Sequence, residues 1–64
     1  MREADLRARL DAKLTRPRSV MFAQTHVIAA LGQRTVDEAL AAGVSCKDVW
    51  RGVWAELELP DFDR

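Results

Sequence analysis

The sequence predicts an all-α domain, a single small bundle of about four short helices, and three observations carry that expectation. Apolar side chains recur at spacings of three and four along the chain. Ser and Thr start signals precede two of these periodic stretches, while Gly or Pro punctuates their ends. A chain of 64 residues has room for one hydrophobic core, so the helices must share it. One domain over residues 1–64 is therefore expected, with 59–64 as a loose tail.

The first helix is expected near residues 3–14, where Leu6, Leu10 and Leu14 fall four apart with Ala4, Ala8 and Ala12 between them. Thr15-Arg16-Pro17 interrupts it, because the residue before proline is pushed out of the helical region and Pro17 suits a new first turn. The second helix is expected over 17–31. Val20, Phe22, Ala23, Val27, Ala30 and Leu31 would form its buried side, with Met21 and Ile28 on a second flank, which makes it the most buried candidate. Gly32 closes it in a left-handed conformation. Thr35 with Glu38 matches a capping box and starts a third helix over 36–42, which Gly43 stops. Ser45 and Asp48 repeat the signal more weakly for a fourth helix over 46–58. There Cys46, Val49, Trp50, Val53, Trp54 and Leu57 give the widest apolar face in the chain. Gly52, inside that helix, predicts the close approach of another backbone, and Pro60 ends the helix.

Composition removes several classes. A chain 48% hydrophobic and 31% charged is not a disordered one. Cys46 is the only cysteine, so no intramolecular disulfide forms. Cys46 and His26 alone are too few soft ligands for a structural zinc site, and no cofactor or metal is expected. No apolar run approaches the roughly 20 residues that span a bilayer, and the charged start Met1-Arg2-Glu3-Ala4-Asp5 does not read as a signal peptide. No membrane association is expected, and a cytoplasmic location is.

The net charge is zero but divided. Residues 1–34 hold seven basic side chains against three acidic ones, a net +4, and residues 35–64 hold the reverse, a net −4. The simplest consequence is attraction between the halves on folding; the alternative is a basic patch for an acidic partner or nucleic acid.

Little in the chain resembles reaction chemistry. His26 lies within the second helix, where packing and hydrogen bonding are the expected roles, and Cys46 continues an apolar stripe. Gly32, Gly43 and Gly52 do not form a phosphate-cradling loop. A non-enzyme is expected. Residues 35–54 resemble a helix-turn-helix, with Ala-Gly-Val-Ser joining two short helices. The side that would meet base edges holds Ser45, Cys46, Lys47, Trp50, Arg51 and Trp54, with only two cations, and Gly52 stands where that motif normally has a bulky residue. DNA binding is thus the weaker alternative, through Lys13, Arg16, Arg18, Lys47 and Arg51. Trp50 and Trp54 are most simply core anchors; whichever stays exposed becomes, with Lys47 and Arg51, a candidate protein-binding surface.

The stretch His26-Val27-Ile28-Ala29-Ala30-Leu31-Gly32-Gln33-Arg34-Thr35-Val36-Asp37-Glu38-Ala39-Leu40-Ala41-Ala42-Gly43, followed by Lys47-Asp48-Val49-Trp50-Arg51, resembles the short actinobacterial proteins grouped as domain of unknown function 3046. The resemblance covers nearly the whole chain and departs from the family at helix 1, where aromatic residues and a Phe-Gly ending are replaced by Leu6, Leu10, Leu14 and Thr15-Arg16-Pro17. It implies no assigned activity. It implies a gene neighbourhood close to the recombinase RecA and its regulator RecX, hence a setting in DNA repair. The expectation is a non-enzymatic helical module that binds another protein, with DNA binding and a homodimer burying the tryptophan face as alternatives.

Overall fold

In a computed structural model of the chain, residues 1–59 are described. Four α-helices run in the order α1 (Glu3–Leu14), α2 (Arg18–Thr25), α3 (Val36–Ala41) and α4 (Cys46–Glu56), with a 3-10 turn at Ala29–Leu31 between α2 and α3. Helix α4 ends at Glu56, short of the expected residue 58, with Leu57 as its C-cap; Pro60 and the tail over 60–64 lie outside the described residues. Leu59, assigned above to that tail, packs against the core, and its amide donates to the Trp54 carbonyl at 3.1 Å.

Helix α1 matches its expected span. Its backbone starts with the Asp5 carboxylate accepting from the Arg2 amide at 3.2 Å, and Leu6 and Leu10 are wholly buried on its inner face. Helices α3 and α4 follow their caps. Thr35 and Glu38 exchange backbone amides at 2.9 and 3.1 Å, and the Ser45 hydroxyl accepts from the Asp48 amide at 3.2 Å. Gly43 takes a φ of 89° between the two helices, a turn conformation that a side chain disfavours.

The second helix corrects the sequence reading. It stops at Thr25, and His26–Ile28 run extended into the 3-10 turn. The reason is a pairing within the segment that follows the helix. The Ile28 amide donates to the Arg34 carbonyl at 2.9 Å in an isolated antiparallel bridge, which takes the segment out of the helical path. Pro17 precedes the first helical residue instead of forming it, and Gly32 closes the 3-10 turn with a φ of 75°. Nor is α2 the most buried helix: Val20, Met21, Val27 and Ala30 are exposed, and only Ser19 and Ala23 of α2 are buried.

The core is Leu6, Leu10, Ala23, Ile28, Leu31, Val36, Ala39, Val49, Trp50 and Val53, all apolar, and it centres on α4. Helix α4 packs on α1, on α3 and on the 3-10 turn, while α2 packs on α1 and α3. The divided charge is partly absorbed within the fold. Arg7 reaches Asp37 at 2.7 Å, linking the basic half to the acidic half, and a hydrogen bond from His26 to Glu56 at 2.8 Å crosses the same divide. Arg16, by contrast, lies 3.9 Å from Asp11 within its own half. Among the described residues no helix is long and apolar enough to cross a membrane.

Candidate interaction groove beside helix α4

The four residues expected to form a protein-binding surface separate on folding. Trp50 is 2% exposed, so its ring is a core anchor and leaves the candidate surface. A tryptophan placed between Val49 and Val53 on the inner side of α4 buries more apolar area than any other residue available to a core this small. Its ring also holds the Arg9 guanidinium, 5.5 Å from the ring centroid, in a cation–π contact that ties α1 to α4. Trp54 is half-buried, and Lys47 and Arg51 are exposed. Trp50 is already inside the monomer, so of the tryptophan pair Trp54 keeps the larger accessible surface.

Arg51 sits at the rim of a groove of about 510 Å³ between α4 and the segment that follows α2. Ala30, Leu31, Gly32 and Arg34 line one side; Val44, Asp48, Arg51 and Gly52 line the other. Lys47 and Trp54 lie outside that lining, because a helical turn of about 3.6 residues carries them round the far flank of α4. The groove owes its shape to Gly52. A Cβ there would stand 2.7 Å from Leu31 Cδ2 and 2.8 Å from Leu31 Cγ, closer than carbon atoms tolerate. The close neighbour of Gly52 is thus a side chain and not a backbone, and the absent methyl lets Leu31 seat directly on α4.

Two guanidinium groups stand over this apolar floor. Arg51 Nη1 is 4.0 Å from Asp48 Oδ1, with both side chains about two-thirds exposed, a contact too long and too wet to hold the arginine. The Arg34 side chain lies over Gly32, with Nη1 4.0 Å from the position a Cβ would take. Arg34 is a residue that sequence reasoning missed as a site. The available signal was its position between the closing Gly32 and the capping Thr35, which keeps it at a loop surface.

The other proposed cations sit elsewhere. Lys13, Arg16 and Arg18 surround the turn from α1 to α2, and Arg16 borders a smaller concavity of about 130 Å³ with Arg7, Leu10, Asp11, Ser19 and Val20. That concavity shares no lining residue with the α4 groove, so Arg16 and Arg51 border different concavities. A third hollow, of about 520 Å³, runs along the outside of α2 between Pro17, Arg18, Met21, Phe22, Thr25 and His26.

The two side chains closest to reaction chemistry are both engaged. His26 Nε2 is bonded to Glu56, and the ring stacks on Phe22 with centroids 4.7 Å apart and planes 16° from parallel. His26 is 43% exposed, so it packs as expected but at the surface and not within a buried helix. Cys46 opens α4 and packs against the core. Among the described residues no group of three or more His, Cys, Asp or Glu side chains is placed to hold a metal ion.

Fold and groove together define a small all-α domain in which a short helix, a tight glycine turn and a longer helix frame a basic-rimmed cleft. The chain belongs to the family described as Protein of unknown function (DUF3046), whose model matches residues 1–62. No curated protein and no solved structure matches it.

Proposed function

We propose that this protein is a non-enzymatic, cytoplasmic module that binds another protein through the groove between α4 and residues 30–34, in a setting of DNA recombination or repair. The observation that carries the reading is the pair Arg34 and Arg51 above a floor of Leu31 and Gly52. Arginine beside well-packed apolar surface is the composition that dominates interface energetics. The repair setting rests on the gene neighbourhood that the family resemblance implies. The non-enzymatic part is supported by His26, bonded to Glu56, and by Cys46, packed against the core.

The test is retention of a protein from nuclease-treated actinobacterial lysate by the immobilised domain, comparing wild type with Arg51→Glu and with Arg18→Glu. A protein kept by wild type and Arg18→Glu but lost on Arg51→Glu supports the groove. Equal retention by all three forms, or none, refutes it. Retention seen only when the lysate is left without nuclease favours the DNA-binding reading, which also predicts a steep fall of duplex affinity with salt.

The homodimer reading keeps one favourable observation, on a different face: Val20, Met21 and Val27 are 37%, 59% and 49% exposed. Self-association through that face predicts a sedimentation coefficient that rises with concentration in wild type and not in Met21→Glu.

A further inference from the structure

We propose that the groove beside α4 takes an acidic segment of the partner protein, with one apolar side chain of that segment seated on the floor formed by Ala30, Leu31 and Val44. This names the partner chemistry of the surface proposed above and rests on that reading. The argument is charge complementarity over a shaped floor. Two arginines and one aspartate line the groove, so its net charge is positive although the chain as a whole is neutral.

The arginines are also available. The Arg34 guanidinium engages no carboxylate among the described residues, and Arg51 has only Asp48, at 4.0 Å. A guanidinium binds a carboxylate best through two parallel N–H bonds, a geometry the Arg51–Asp48 contact does not reach, so an arriving carboxylate displaces Asp48 instead of competing with a formed pair. The other basic side chains nearest the acidic half are already committed, Arg7 to Asp37 and Arg9 to the Trp50 ring. Beside the two arginines, Ala30, Leu31 and Val44 give the groove an apolar floor, which Leu31 reaches by filling the space a Cβ on Gly52 would take, and that floor suits one small or branched aliphatic group. Asp48 gives the arrangement a gate of its own. It is the one carboxylate lining the groove, and it repels a misplaced carboxylate at that rim.

The test follows amide shifts of the full chain by NMR during titration with a short capped peptide of glutamate and aspartate around a single leucine. A matched peptide with lysine at the acidic positions and a short duplex oligonucleotide serve as comparisons. The expected result is a saturable set of shifts centred on Gly32, Arg34, Asp48, Arg51 and Gly52 with the acidic peptide alone. Arg34→Glu and Arg51→Glu each weaken binding by about tenfold, the loss expected for one charge-assisted pair. Asp48→Asn strengthens it, because it removes the one carboxylate that lines the groove. Absence of shifts, shifts centred on Lys13, Arg16 and Arg18, or tighter binding of the lysine peptide or oligonucleotide in the groove overturns the proposal. If it fails while the lysate partner still depends on Arg51, the error lies in the partner chemistry and not in the groove.

Discussion

Helices α2 and α4 are similarly rich in apolar residues, yet one ends on the surface and the other in the core. In α4, Val49, Trp50 and Val53 fall at spacings of one and three, so they share one side of the helix and all three are buried. In α2 the apolar residues are consecutive. Val20, Met21, Phe22 and Ala23 are each turned about 100° from the last, so no single neighbour can cover them. Ala23 is buried, Phe22 is partly covered and stacks on His26, and Val20 and Met21 face out. What differs is phase and not content, and phase decides which helix organises a core and which leaves a surface.

The comparison can be broken first at its heavy end. Trp50→Ala should cost about 3–5 kcal/mol, the range for emptying a buried aromatic site, and unfold a domain of this size at room temperature. Far-ultraviolet circular dichroism reads that directly, and a folded variant would show that α4 does not anchor the core.

Ser19 sharpens the other side. It is the one buried polar residue of α2, and its hydroxyl donates to the Asp11 carboxylate of α1. Ser19→Ala should lower stability by about 1–2 kcal/mol, since the bond is charge-assisted but Asp11 keeps access to water. Urea denaturation measures it; a change below a few tenths of a kcal/mol would mean that α2 docks through Ala23 alone. The smallest effect belongs to the exposed face. Met21→Gln should shift stability by no more than about 0.5 kcal/mol, because the thioether is already in water. A larger loss would show that α2 is covered in solution.

Legibility followed the same division. The span of α1 and the starts of α3 and α4 are readable because their signals are local. Leucines four apart, the Thr35–Glu38 exchange and the Ser45 cap each lie within one helical turn. The extension of helix 2 to residue 31 failed because the event that ends it is not local. The pairing of Ile28 with Arg34 and the rise of the chain into a 3-10 turn depend on residues beyond the helix, while β-branched Thr25, Val27 and Ile28 give only a weak hint. The site divided in the same way. Arg51 is visible as a cation on a strongly amphipathic helix, but its companion Arg34 comes to the same groove only because the 3-10 turn packs on α4, and Trp50 is buried by tertiary packing of the same kind. Gly52 was marked as unusual from the sequence alone, and the identity of its neighbour came from tertiary packing.

Gly52 is where the account meets its most direct test. In the interior of a helix, glycine to alanine normally gains about 1 kcal/mol. Here the added Cβ would stand 2.7 Å from Leu31, and overpacking of that kind costs about 1–3 kcal/mol. The measurement is the urea midpoint of Gly52→Ala against wild type at equal slope. A lower midpoint is the predicted result, and it places Leu31 against α4 as the contact that shapes the groove. A midpoint raised by the ordinary helix gain would contradict that contact, and with it the floor on which the proposed interaction surface stands.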